Sequence, residues 1–127
     1  MRIADTSLLY ALFSKDDVHH KEATERCKIP DPILIPAEIW SETISLIHYR
    51  QGYDMAVEAG GSLLDLPHVE LISSRMEIVR SAWKIYKSTG GNLSIPDCVV
   101  LTSCDDRNAS PLTFDEGISE YYSKKIE

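Results

Sequence analysis

A chain of 127 residues with 43% hydrophobic and 26% charged side chains is globular rather than disordered, and at this length it needs no disulfide staples. Its net charge of −7, from 13 Lys plus Arg against 20 Asp plus Glu, excludes the broad basic footprint of many nucleic-acid binders, so any such contact needs a local basic patch or a bound cation. Cys27, Cys98 and Cys104 form no disulfide-like pattern and suit a reducing cytoplasm; no signal peptide is expected, and the apolar run Leu8 to Phe13 is too short to cross a membrane.

The chain opens with a short expected strand, Arg2-Ile3-Ala4-Asp5. Thr6 or Ser7 is placed to cap a helix whose apolar residues Leu8, Leu9, Leu12 and Phe13 recur at helical spacing. Asp16 and Asp17 start a second helix to about Cys27, and Pro30 and Pro32 end that segment. Ile33-Leu34-Ile35, bounded by prolines, reads as a buried parallel strand. Pro36 suits a first helical position, and Ile39, Trp40, Thr43, Ile44 and Ile47 form the apolar face of a helix closed by Gly52. A weaker helix follows over 53–65, interrupted by Gly60 and Gly61.

Val69 to Ile72 is a candidate strand. Ser73 or Ser74 caps a helix carrying Met76, Val79, Ala82, Trp83 and Tyr86, stopped at Gly90 and Gly91. Ser94 to about Cys104 is a further helix with a largely buried look. Pro111-Leu112-Thr113-Phe114 reads as the last strand, and a helix runs from Asp115 to Tyr122. The alternation βαα-βαα-βαα-βα implies one domain over 1–127, a three-layer α/β/α sandwich with a mainly parallel sheet of four or five strands.

Sheets of this kind bind ligands beyond the carboxyl ends of their strands. Asp5 and Asp115 end the first and last strands, Asp97 stands in the first turn of its helix, and Glu42 lies about two turns into the helix after Ile35. Singly, each also reads as a cap, a dipole partner or a solvated acid. Together they would repel one another unless protonated or neutralised by a cation, and oxygen-only ligands select Mg²⁺ or Mn²⁺ over zinc. Such an ion supports phosphodiester hydrolysis, with a carboxylate positioning the attacking water.

In chain order, the segments Ile3-Ala4-Asp5-Thr6-Ser7-Leu8-Leu9, Ile35-Pro36 leading to Glu42-Thr43-Ile44-Ser45-Leu46-Ile47, Leu93-Ser94-Ile95-Pro96-Asp97-Cys98 and Pro111-Leu112-Thr113-Phe114-Asp115 resemble a PIN domain, in particular the compact kind of the VapC-type toxins. The resemblance spans nearly the whole chain. It implies a metal-dependent ribonuclease with Asp5, Glu42, Asp97 and Asp115 as its acidic set, of which Asp5, Asp97 and Asp115 hold the metal. It further implies supporting hydroxyls at Thr6, Ser7 and Thr113, a homodimer, and inhibition by a small antitoxin. The chain departs from the family's usual Asn at Ser45 and from its frequent Ala at Cys98. Glu38, one turn before Glu42 on the same helix face, is an alternative or accessory ligand.

Other features point elsewhere. His19, His20 and Cys27 fit no strong zinc spacing. Asp105 and Asp106 read as a solvated turn, and Gly60-Gly61 and Gly90-Gly91 as helix breakers rather than a phosphate loop. Lys15, His19, Lys21 and Arg26 are placed to flank the Asp5 site, or else form a solvated helix face. Trp83, Tyr86, Tyr49 and Tyr53 fit core or dimer contacts. Competing functions are a housekeeping RNA-processing nuclease, a non-catalytic RNA-binding or interaction module of the same fold, and a phosphatase with Asp5 as nucleophile; the last usually needs an Asp where this chain has Ser7.

Overall fold

A computed structural model describes residues 1–126. Its elements are β1 (Arg2–Ala4), α1 (Thr6–Phe13), α2 (His20–Lys28), β2 (Ile33–Pro36), α3 (Ala37–Gln51), α4 (Tyr53–Asp65), β3 (Val69–Ile72), α5 (Met76–Ser88), α6 (Ile95–Arg107), β4 (Ser110–Leu112) and α7 (Glu116–Ile126). The four strands are parallel in the order β3-β2-β1-β4, with Ile3 opposite Leu34 on one side and Pro111 on the other. The chain steps outward from β1 through β2 to β3 and then returns to β4. Right-handed crossovers of opposite sense put their helices on opposite faces, which yields the three-layer sandwich.

The all-apolar β2 is buried at every position, as a covered parallel strand requires. Ile3, Leu8, Leu9, Ile33, Ile35, Ile39 and Val100 form the main core, and a second cluster of Ile78, Ala82, Leu93, Val99, Leu101 and Ile118 joins α5, α6 and α7. Arg2 fastens β1 to the end of α2. Its guanidinium donates to the carbonyls of Arg26 (2.7 Å), Ile29 (3.0 Å) and Asp31 (2.6 Å), so carbonyls at and just past a helix C-terminus receive a cation.

Several local expectations are corrected. Asp5, not Thr6 or Ser7, caps α1, accepting from the Leu8 N–H at 3.0 Å. The second helix starts at His20, because the Asp17 carboxylate accepts the His19 N–H at 2.9 Å and closes a turn there. Pro36 ends β2 rather than opening α3. Neither Ser73 nor Ser74 caps α5, whose N-cap is Arg75. Thr113 and Phe114 lie past the last strand, and the last helix runs on to Ile126. Asp105 and Asp106 belong to α6, where Asp105 pairs with Lys125 and Asp106 with Arg75.

Helix α4 continues through Gly60 and Gly61 because its packing on α3 outweighs the glycine penalty. The Trp40 indole N–H donates to the Gly60 carbonyl at 3.4 Å. On α5 the inward stripe is Ile78 and Ala82, whereas Met76, Val79 and Trp83 face outward. Trp83 is instead stacked on Tyr86 at 5.5 Å with the Lys87 ammonium above it.

Two stability measurements follow. A Cβ on Gly61 meets nothing within 4 Å, so Gly61→Ala gains about 0.5–1 kcal/mol, read as a higher urea midpoint at unchanged m-value. Arg2→Met leaves three carbonyls without their cationic donor and loses about 2 kcal/mol in the same assay. A lower midpoint for the first variant, or an unchanged one for the second, contradicts these packing assignments.

Candidate active site

Strands β1 and β4 are neighbours, and the chain reverses its direction across the sheet between them. Ligand crevices of parallel sheets open at such a switch point, beyond the strand ends. Asp5 follows β1 and Asp115 follows β4 by three residues, so both emerge there. Helix α3 begins directly after β2. Helix α6 leads into the start of β4 and so runs against the strands, which places Asp97 in its first turn at the same edge of the sheet.

Hydroxyl groups organise the centre. The Asp5 side chain is 3% exposed and accepts from Ser7 Oγ (2.8 Å), the Leu8 N–H (3.0 Å) and Thr113 Oγ1 (2.5 Å). The same Thr113 hydroxyl accepts the Asp115 N–H at 2.9 Å, and Ser7 Oγ accepts the Phe114 N–H at 3.0 Å. One carboxylate on β1's end is therefore sewn to the backbone on β4's end through two hydroxyls. Thr6 Oγ1 donates to Glu42 Oε1, which joins α3 to the cluster.

Burial raises the Asp5 pKa; the Thr113, Leu8 and Ser7 hydrogen bonds oppose the rise, and the negative Asp115 adds to it. Asp115 Oδ1 accepts the Ile118 N–H at 2.9 Å, so it also caps α7. Asp97 is committed to its own helix. Its carboxylate accepts the Ser94 N–H (3.0 Å) while its N–H donates to Ser94 Oγ (3.2 Å), a reciprocal capping box. The Thr113 hydroxyl thus links the Asp5 carboxylate to the Asp115 backbone, Glu42 is tied to Thr6 next to Asp5 in the chain, and no such link reaches Asp97. Among the described residues, no three His, Cys, Asp or Glu side chains gather tightly enough to enclose a metal ion.

The donors nonetheless suit a hard divalent cation. Mg²⁺ typically keeps several waters and takes one or two carboxylates directly, so an open set of acids is its usual setting. All donors are oxygens, one of them on a buried carboxylate held at elevated proton affinity. Glu38 carries a buried Oε1 with no partner and shares a shallow pocket with Ile95 and Pro96, next to Asp97 in the chain. Glu42 has the hydroxyl tie and Glu38 the orphaned oxygen. Thiol chemistry has no footing here: burial, with Asp97 adding to it, pushes the Cys98 thiol up to about 11, and burial pushes Cys104 up to about 12.

Sequence reasoning missed Gly117. A Cβ there would lie 3.1 Å from Asp115 Oδ1 and 3.0 Å from Leu93, so the bare glycine lets the Asp115 carboxylate sit over the first turn of α7. A glycine two residues past an acid that caps a helix was the available signal. Phe114 is not a strand residue but a half-buried ring stacked with His19.

The sequence profile of the PIN domain matches residues 2–124. Among solved structures, the chain is similar to Mycobacterium tuberculosis VapC20, described as a sarcin-ricin loop cleaving toxin, with a TM-score of 0.85, 20% identity and 95% of each chain covered. It is also similar to a toxin–antitoxin complex from Klebsiella pneumoniae (TM-score 0.67, 17% identity, covering 91% of this chain and 87% of that one). A third similar structure is VapBC2 from Rickettsia felis bound to a DNA fragment from its promoter (TM-score 0.70, 11% identity, 94% and 91% covered). No curated protein matches the chain in sequence.

A buried carboxyl whose proton affinity is higher in the fold than in the unfolded chain loses stability as pH climbs from the ordinary value of 3.8 through its raised value, and the loss persists at neutral pH. In EDTA the unaltered chain is therefore expected to lose stability as pH rises above 3.8, and Asp5→Asn is expected to flatten that pH dependence. Mn²⁺ raises the melting temperature of the unaltered chain and leaves that of the variant unmoved. A variant that keeps the full pH dependence, or that responds equally to Mn²⁺, contradicts this account of Asp5.

Proposed function

Because the chain belongs to the PIN domain family, we propose that it is a Mg²⁺- or Mn²⁺-dependent endoribonuclease, and that it serves as the toxin of a toxin–antitoxin pair. The observation that carries this reading is the buried Asp5 carboxylate tied through Thr113 to the Asp115 backbone at the switch point of the sheet. Similarity to a toxin described as cleaving the sarcin-ricin loop, and to two structures of toxins with antitoxins, supports the RNA substrate and a small antitoxin partner. A homodimer is part of the same reading.

In this reading Asp5, Asp97 and Asp115 hold the cation, with Glu38 as an accessory ligand. A cation held there would supply Lewis-acid polarisation of the phosphate and a more acidic water. Glu42, positioned by Thr6, orients the attacking water and accepts its proton. Ser7 and Thr113 keep the Asp5 carboxylate fixed, so that little reorganisation is needed when charge builds at phosphorus. The cation also offsets the acidic surface that otherwise repels an RNA backbone.

Cleavage of total RNA is expected with Mn²⁺ and is abolished by EDTA. Glu42→Gln lowers kcat by about 10²–10³-fold while the protein stays folded. Asp97→Asn abolishes cleavage by removing a ligand, with circular dichroism unchanged. Undiminished cleavage by both variants refutes the site. Calorimetry that finds no Mn²⁺ binding near millimolar metal favours the non-catalytic module instead.

A further inference from the structure

Beside the acids runs an open groove of about 590 Å³ between α2 and α7. One wall is flat. The Arg26 guanidinium lies over the Phe114 ring, 4.9 Å from its centroid, and donates to the Thr113 carbonyl at 3.3 Å. His19 is stacked on the same ring at 4.3 Å with planes 8° apart, which fixes the ring's tilt. The other wall is the exposed side of α7, with Glu116, Ser119 and Glu120. Thr113 belongs to both places, since its hydroxyl holds Asp5 while the residue lines the groove.

We propose that this groove seats a nucleobase next to the scissile phosphate and selects bases with a donor edge, guanine above the others. The inference rests on the ribonuclease reading of the acids and adds what that reading lacks, a determinant of sequence preference. Charge decides which part of a nucleotide enters. Arg26 is the sole cation on the walls, and it is already shared with the Glu22 carboxylate at 3.2 Å and the Thr113 carbonyl. Glu116 and Glu120 line the groove from α7; Glu120 is paired with Lys124 at 3.3 Å, and with Arg26 drawn to Glu22 and Glu116 left without a salt-bridge partner among the described residues, the groove offers no unshared cation to a phosphate. A neutral planar base needs none. Guanidinium planes and aromatic rings are the surfaces on which unstacked RNA bases rest.

The carboxylates then read the edge of that base. Carboxylates accept from N–H donors, and guanine presents adjacent N1–H and N2–H₂ groups that one carboxylate engages bidentately. Uracil offers a single N–H flanked by two carbonyls that the acids repel. Ser119 is placed to donate to or accept from the same edge. Phe114 N–H is held by Ser7 Oγ, the hydroxyl that also holds Asp5, so the base seat and the cluster move as one unit.

Titration of the ¹⁵N-labelled full chain in EDTA with 5′-GMP, 5′-IMP and 5′-UMP tests this, because the phosphate is common to all three probes. GMP is expected to shift the amides of Phe114, Ser119 and Glu120 and to bind about tenfold more tightly than UMP, with IMP between them. Glu116→Gln and Glu120→Gln, both surface changes, are expected to shrink that ratio to about threefold or less. Phe114→Leu removes the ring-current shift on the base protons. Equal affinities for GMP and UMP, or shifts confined to residues outside the groove, overturn the proposal. So does tighter binding of N-acetyl-arginine amide than of GMP, which marks a basic peptide as the occupant. RNA cleavage without groove shifts removes the base seat and leaves the nuclease intact. Groove shifts with a GMP preference but no metal-dependent cleavage remove the nuclease and leave the base seat.

Discussion

A single hydroxyl, that of Thr113, sets the geometry of the acidic edge. It donates to Asp5 at 2.5 Å and accepts from the Asp115 backbone at 2.9 Å, so it fixes the distance between the ends of two adjacent strands. Strands β1 and β4 have only three residues each and give little ladder with which to define their ends. Side-chain bonds take over where the ladder stops. Asp5 is a helix cap and a buried carboxylate at once, which places a group that prefers water at the point where the sheet needs order. Such a conflict between local comfort and position is the common mark of a working site.

The fold was legible because its signals are strong and local. Ile33-Leu34-Ile35 between prolines has few readings other than a covered strand, and the alternation of strands with helices leaves little choice but a parallel sheet. Element ends were less legible, since they hang on single hydrogen bonds. The Asp17 turn delays α2 by several residues, and the α3–α4 contact carries α4 through two glycines. The rotated face of α5 shows the limit of periodicity. Met76, Val79 and Trp83 recur at helical spacing, but tertiary packing chose the neighbouring stripe of Ile78 and Ala82.

At the site, the residue types and their order were readable, and their connectivity was not. Nothing in the spacing says that Thr6 reaches Glu42 rather than the backbone, or that Asp97 spends its carboxylate on Ser94. These are choices among near neighbours, made by angles of a few degrees at the ends of helices. The same holds for Phe114, whose apolar character fits a strand as well as a wall of stacked rings. Only the meeting of α2 with the segment after β4 makes it the latter.

The two cysteines of α6 bear on how that helix meets oxidants. With both thiols held far above neutral pH, almost none of either exists as the nucleophilic anion. Peroxide and glutathione disulfide therefore find little to attack in the helix that presents Asp97. The capping box at the start of that helix, and with it the placing of Asp97, therefore does not depend on thiol state.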